Sequence, residues 1–250
     1  MSSAGQGRDH SAGVSSNPQP GGIVVVSPHS DDGVLSLGAT MSALARRGRA
    51  VELLTVFALD PESDAPTRGW DLRAGFATER EAARARRAED RAACALLGVT
   101  PVWLPFGSVD YERHGDEEDV RAAVAGRLAG TALLLLPGAP LSHPDHEWLV
   151  RALAGVLDRE LVGLYAEQPY TRRAGGVPLS PVWLEVAGAF AELEHAPTVR
   201  NRVAKWRAIR RYASQLPLLA MRRSLRRGPL ALALEPELVA WPAGRDRRPG

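Results

Sequence analysis

Residues 23–33 read Ile-Val-Val-Val-Ser-Pro-His-Ser-Asp-Asp-Gly, and this stretch decides the fold of the 250-residue chain. The four β-branched residues at its start predict a buried strand, and the apolar-periodic segment that begins at Val34 predicts a helix. The turn between them carries His29, Asp31 and Asp32. Because the amides at a helix start attract negative charge, the turn suits a functional site, but an aspartate that merely caps the helix is an equal alternative.

The rest of the chain repeats this alternation of strands and helices. Further strands are predicted at 51–57, 101–105, 131–136, 161–165 and 181–186, and helices at 34–47, 78–97, 117–129, 143–157, 198–213 and from Leu216. Residues 58–77 contain two prolines and two glycines and are predicted to form a long loop, a candidate substrate lid. The pattern predicts an α/β, Rossmann-like domain: a mainly parallel sheet with helices on both faces and a site at the carboxyl ends of the strands.

Composition bounds the class of protein. We expect residues 1–21 to be a disordered N-terminal extension without a secretory signal, 22–225 a single α/β domain, and 226–250 a partly irregular C-terminal segment. The one cysteine, Cys94, excludes a disulfide framework and fits a core position. No apolar run reaches about 18 residues, and a net charge of +2 gives no argument for nucleic acid. The chain is therefore expected to be cytoplasmic, with no membrane span and no nucleic-acid partner, and its arginine-rich end to be a solvated tail.

A second polar turn, His143-Pro144-Asp145-His146, also follows an apolar strand. Because parallel strands end at the same edge of a sheet, the two turns are expected to meet in one site. Two imidazoles and a carboxylate leave a coordination position open for water, which is a ligand set of catalytic zinc. Asp31 is then free to act as a general base. The alternative is that His143 and His146 are ordinary loop histidines.

Both motifs resemble those of the PIG-L/LmbE-like zinc-dependent N-deacetylases, over about residues 22–215. The family's first motif corresponds to residues 28–33, and its second to residues 143–146 without change. The resemblance implies that His29, Asp32 and His146 bind Zn²⁺, although another divalent metal is possible. It further implies that Asp31 is the general base and that His143 stabilises the tetrahedral intermediate.

Weaker matches suggest substrate contacts. Arg86 lies in the helix before Leu97-Gly98 that the family also has, although a solvated helix face is equally plausible. Glu167 and Tyr170 lie in a stretch similar to one in some members, and Asp110, in the loop after the 101–105 strand, is a further candidate. Residues 212–215 match the family's Tyr-x-Ser-Gln stretch. Ser30 and Gly33 depart from the Pro and Glu of the first motif, and Leu141 stands where some members carry a tyrosine, for which Tyr170 is a candidate substitute.

The resemblance implies a hydrolase that removes an N-acyl group, most simply N-acetyl, from an amino sugar such as N-acetylglucosamine or from a glycosylated small molecule, by metal-activated water. One alternative is an amidase that acts on a thiol conjugate or an antibiotic intermediate. Another is a non-catalytic sugar-binding protein of the same fold. The Ala-, Arg- and Gly-rich composition suggests a high-GC source with specialised metabolism. Nothing in the sequence predicts the oligomeric state.

Overall fold

Seven strands form one sheet in the computed structural model, which describes residues 21–112, 115–128, 130–154, 162–173, 187–192, 197–221 and 228–242. The strands are β1 (Ile23–Ser27), β2 (Val51–Thr55), β3 (Thr100–Trp103), β4 (Leu133–Ala139), β5 (Val162–Ala166), β6 (Ala187–Glu192) and β7 (Leu238–Pro242). Their spatial order is β3-β2-β1-β4-β5-β7-β6. The pairs among β1 to β5 are parallel, whereas β7 runs antiparallel to both β5 and β6.

Helices cover both faces of this sheet, as the sequence predicts. They are α1 (Asp32–Arg46), α2 (Gly69–Arg73), α3 (Glu79–Leu97), α4 (Glu117–Leu128), α5 (Pro144–Ala154), α6 (Val199–Ile209), α7 (Leu216–Met221) and α8 (Gly228–Leu234). Alternate residues of β1 enter two separate apolar cores, because successive side chains of a strand point to opposite faces. Ile23 and Val25 pack with α1, α3 and α6, whereas Val24 and Val26 pack with α4 and α5. The predicted mainly parallel α/β fold is confirmed.

The order of the strands reverses between β1 and β4. From β1 the chain continues to β2 on one side, and β4 pairs with β1 on the other, with Ile23 opposite Leu133 and Val25 opposite Leu135. A crevice forms at such a reversal, beyond the carboxyl ends of the two strands. The two polar turns follow β1 and β4 and therefore lie side by side in this crevice.

Some predicted elements differ from those observed. Residues 58–77 contain the short helix α2, and the helix expected at 198–213 ends at Ile209. The strand expected at 181–186 lies outside the described residues, and β6 begins directly after it. Strand β7 belongs to the expected irregular segment but pairs with β5 and β6 inside the sheet. The domain boundaries at 21 and 225 stay predictions.

Helix α1 is interrupted at Leu37, whose backbone is not helical (φ −125°, ψ 15°). The second half of the helix therefore begins with backbone amides that have no partner inside the helix. The Glu237 carboxylate accepts hydrogen bonds from two of them, Ala39 N (2.9 Å) and Thr40 N (2.7 Å). The ammonium of Lys205, which is fully buried, lies 2.6 Å from the same carboxylate. A charged pair from two distant parts of the chain therefore caps the second half of α1.

Within the described residues, no helix is long and apolar enough to cross a membrane.

Candidate active site

In the turn after β1, the Asp31 side chain does not cap helix α1. Asp31 occupies the N-cap position of α1, but its side chain makes no cap hydrogen bond. Ser27 Oγ instead accepts from Gly33 N at 2.8 Å. Gly33 is closely packed, because a Cβ atom there would displace the end of the Leu53 side chain and lie 3.3 Å from Ser27. The capping alternative is therefore wrong for Asp31, a buried carboxylate at the wall of a cavity.

Three side-chain atoms form a small triangle beside this cavity, which two of the three residues, His29 and Asp32, line. Asp32 Oδ2 lies 3.1 Å from His29 Nδ1 and 3.0 Å from His146 Nε2, and the two ring nitrogens are 3.2 Å apart. Ligands at the bond lengths of tetrahedral zinc are separated by about 3.3 Å. The triangle thus fits zinc with only slight expansion. His143 also belongs to the cluster, since ring nitrogens of His29, His143 and His146 all lie within 4.8 Å of one another.

Two further carboxylates orient the histidine rings. Asp145 Oδ2 lies 3.0 Å from His29 Nε2, and Glu167 Oε1 forms a short hydrogen bond with His146 Nδ1. Asp145 also accepts from Val109 N at 2.9 Å. Such contacts select the tautomer that directs the opposite ring nitrogen at a metal. We expected a substrate contact for Glu167, but the residue is 1% exposed and lies behind His146. The role of Asp145 was missed, although its place inside the second motif was a usable signal.

The electrostatics of the triangle favour positive charge. Burial alone would lower the pKa of His29, but hydrogen bonds to Asp145 and Asp32 raise it to about 9. Burial is likewise outweighed at His146, where Asp32 and Glu167 raise the pKa well above its usual value. The two imidazoles hold the pKa of Asp32 well below its ordinary range against the effect of burial. Protons and a metal cation therefore compete for the same negatively charged site.

Asp31 and His143 differ from the triangle in their protonation. Burial and the neighbouring Asp32 raise the pKa of Asp31 to about 6, against the opposing charges of His29 and Arg86. Burial and the nearby imidazoles lower the pKa of His143 to about 4. His143 Nδ1 accepts from Asp145 N at 3.2 Å, so the neutral ring carries its proton on Nε2. The site thus offers a carboxylate base and a neutral imidazole donor.

The predicted loop 58–77 forms one wall of the cavity. Arg86 pairs with Asp71 at 2.5 Å, and Asp71 accepts from Tyr111 Oη at 2.7 Å. Asp110 Oδ2 accepts from Trp70 N at 2.9 Å, an approach that requires glycine at 69, where φ is +49° and a Cβ would overlap the carboxylate. Arg86 and Asp110 therefore line the cavity and also hold its wall in place. Whether this wall moves as a lid stays a prediction.

Tyr170 is a further lining residue of the cavity. Its ring is edge-on to the His146 ring, with centroids 6.1 Å apart, and it lines the cavity with Arg86 and Asp110. Leu141 is buried in the core, and its amide donates to Glu167 Oε2 at 2.8 Å. Some family members carry a tyrosine at the position of Leu141, and the prediction that Tyr170 takes over its role stays a prediction. Among the described residues, the cavity is lined by His29, Asp31, Asp32, Leu35, Phe57, Leu59, Trp70, Asp71, Arg73, Arg86, Ser108, Asp110, His143, Pro169, Tyr170, Gln215 and Leu219.

A buried carboxylate on α3 supports the loop that carries Gln215. Asp90 accepts from Tyr212 Oη at 2.7 Å, Trp103 Nε1 at 2.9 Å and Thr55 Oγ1 at 3.2 Å. Burial nevertheless raises the pKa of Asp90 to about 7. Helix α6 ends before the predicted residue 213, and the chain continues in a turn in which Arg211 N donates to Ala208 O and Tyr212 N to Ile209 O.

The Asp90→Asn variant should lose a pH dependence of stability that the wild type has. The folded wild type binds the Asp90 proton more tightly than the unfolded chain, so its free energy of unfolding falls as pH rises from about 4 to about 7. A rise in pKa from 3.8 to about 7 corresponds to roughly 4 kcal/mol. Asparagine can donate to Tyr212 Oη while its oxygen accepts from Trp103 and Thr55. Urea unfolding across this pH range measures the effect, with Asp64→Asn, an exposed carboxylate, as control. A pH-independent difference between wild type and Asp90→Asn would contradict the prediction.

Comparison with known proteins identifies the family of this chain. A family model described as "PIG-L: GlcNAc-PI de-N-acetylase" matches residues 24–156, slightly more than half of the chain. The chain belongs to the PIG-L family. The matched segment runs from β1 through α5 and so contains both motifs of the triangle.

Several relatives of this PIG-L chain are deacetylases. The 2'-N-acetylparomamine deacetylase of Streptomyces fradiae is 29% identical over 82% of this chain and 77% of its own. A triple mutant of a deacetylase of the teicoplanin biosynthetic pathway is 26% identical, with a TM-score of 0.71 over 88% of this chain and 97% of its own. Dbv21, a deacetylase of an antimicrobial pseudoaglycone, is 25% identical, with a TM-score of 0.67 over 90% and 97%. Together with the family match, they identify the PIG-L chain as an N-deacetylase.

Proposed function

We propose that the chain hydrolyses the N-acetyl group of an amino sugar within a small glycosylated molecule, with Zn²⁺ held by His29, Asp32 and His146. The observation that carries the proposal is the triangle of ligand atoms, with sides of 3.0 to 3.2 Å, beside a carboxylate that has no capping role. His143 is the less suitable ligand because its Nδ1 already accepts from Asp145 N. Zinc in this set would act as a Lewis acid and lower the pKa of a coordinated water to about 7.

The chain's own residues account for the proton transfers. Asp31 takes a proton from the attacking water as the water oxygen bonds to the amide carbon. The Nε2–H of His143 donates to the oxyanion of the tetrahedral intermediate. Asp31 then gives the proton to the leaving nitrogen, the C–N bond breaks, and the remaining proton of the acid passes to the amine, so that acetate and an ammonium group result. Asp145 and Glu167 keep the histidine rings in place throughout.

The substrate class follows from the relatives and the cavity. By their names, the relatives act on 2'-N-acetylparomamine and on the pseudoaglycone of an antimicrobial compound. The cavity lining includes apolar side chains such as Leu35, Leu59 and Leu219 as well as polar groups such as Asp110, which suits a sugar attached to a less polar unit. We therefore infer an N-acetylated amino sugar of an antibiotic-like compound.

Acetate release from 2'-N-acetylparomamine, an N-acetylated glycopeptide pseudoaglycone and an N-acetylated thiol conjugate tests the proposal. We expect turnover of at least one amino sugar and a loss of about 100-fold or more in kcat/KM after chelation. One equivalent of Zn²⁺ should restore activity, and His146→Ala should neither bind zinc tightly nor recover. Turnover of the thiol conjugate alone would favour the amidase alternative, and full activity of the chelated protein would contradict the zinc site.

A further inference from the structure

Gln215 is a cavity residue that the proposed mechanism does not use. It lies between α6 and α7, is 2% exposed and lines the cavity. Its Oε1 accepts from Trp70 Nε1 at 2.8 Å. Because the indole nitrogen can only donate, the facing amide atom must be the oxygen. Trp70 therefore fixes the orientation of the Gln215 amide, with its nitrogen on the other side.

The amide nitrogen of Gln215 has no hydrogen-bond partner among the described residues. It is also covered from solvent, so bulk water does not satisfy it. A buried donor left unpaired costs about 1–3 kcal/mol. A ligand oxygen in the cavity would remove this cost after a side-chain adjustment in the wall, of the kind that binding sites commonly make.

We propose that Gln215 is a specificity-determining residue whose Nε2–H donates to an uncharged oxygen of the substrate, a hydroxyl or a carbonyl. The inference rests on the proposed function and deepens it, because it states which group the sugar must carry at this position. An ammonium group offers donors only and cannot accept this hydrogen bond. The site therefore favours a sugar that is hydroxylated or acylated here over one with a free amine.

The loop that carries Gln215 is hydrogen-bonded to helix α3 and to itself. Ser214 N and Ser214 Oγ both donate to the Glu89 carboxylate at 2.7 Å, and Gln215 N donates to Tyr212 O at 3.1 Å. With Tyr212 bonded to Asp90, the loop is fixed to α3 at two points. A donor that cannot move away discriminates between ligand groups more strongly than a flexible one.

Trp70 joins this donor to the wall formed by residues 58–77. Its backbone amide is held by Asp110, and its indole by Gln215. Loss of the indole N–H alone would let the amide turn and offer its oxygen to the cavity. Trp70→Phe should therefore weaken the discrimination between hydroxyl and amine. Because this variant keeps Gln215, it tests the orientation of the amide and not its presence.

The test is steady-state kinetics on an N-acetylated amino sugar and on its deoxy and amino analogues, one position at a time. We expect Gln215→Met to raise KM about 10-fold on the parent, equivalent to one hydrogen bond of about 1.4 kcal/mol, with kcat within about twofold. For the deoxy analogue that lacks the oxygen bound by Gln215, the wild type should already show the raised KM. Gln215→Met should not raise the KM for this analogue further. Trp70→Phe should narrow the preference for hydroxyl over amine at that same position.

Controls separate this role from a structural one. Trp206→Phe makes the same change outside the cavity lining and should leave the selectivity unaltered, and zinc content and melting temperature verify folding of every variant. An equal fall in kcat/KM on all analogues, or no change on any, would overturn the role of Gln215 even if the wild type is an active deacetylase. If the wild type hydrolyses none of the compounds, the proposed function fails. The role of Gln215 is then decided by calorimetry, which gives the Kd of each protein for the parent relative to its deoxy and amino analogues. Absence of binding to all of them overturns it as well.

Discussion

Asp31→Asn should lower kcat by about 10²–10⁴-fold, the range that one positioned general base contributes. Asparagine has nearly the same size and cannot take a proton from water. The carboxylate has no capping hydrogen bond to lose, so the turn should keep its structure. In the proposed zinc site the ligand oxygen comes from its neighbour Asp32, so zinc should remain bound.

Zinc content by elemental analysis, together with kcat on the best amino sugar, measures this result. His146→Ala is the contrasting variant, since it should lose metal and activity together. Asp64→Asn, on the exposed surface, should behave as wild type. An Asp31→Asn protein with near-normal kcat would remove Asp31 from the mechanism. Loss of zinc from the same protein would instead make Asp31 part of the metal site.

Glu237→Gln should lower the free energy of unfolding by about 3–5 kcal/mol, because it leaves the buried ammonium of Lys205 without its counter-charge. Burial already lowers the pKa of Lys205, while Glu237 opposes this shift. The amide oxygen of glutamine could still accept, but its NH₂ group would face a donor from Lys205, Ala39 or Thr40.

Urea unfolding of Glu237→Gln, Lys205→Met and the double variant gives the coupling between the two groups. The double variant should be less destabilised than the sum of the single variants, since neither charge is then left unpaired. Glu147→Gln breaks the exposed pair with Arg151 and should cost less than about 1 kcal/mol. Equal small effects in the buried and exposed pairs would contradict this account.

Local patterns were enough to predict the parallel sheet and the two polar turns. A strand followed at once by His and Asp residues is visible within about ten residues, and parallel strands place such turns at one edge. The functions of Asp145 and Glu167 depend on which histidine ring each one faces, and this is set by the angle between β4, α5 and β5. No spacing in the sequence reports that angle.

The features that were not predicted depend on distant contacts. Strand β7 is a short segment whose partners β5 and β6 lie far away in the chain. The break in α1 at Leu37 is stabilised by a carboxylate about two hundred residues later. Gln215 could be matched to a family stretch, but its unpaired nitrogen follows only from the position of Trp70.

The cap at Glu237 has a consequence for the order in which the protein is made. Helix α1 begins at Asp32, yet the amides of Ala39 and Thr40 can receive this cap only after the ribosome has passed residue 237. Gln168, two residues before Tyr170, waits for the same segment, since it donates to Pro236 O and accepts from Lys205. Both polar turns lie within the first 146 residues of the chain, but their surroundings can be completed only near the end of translation.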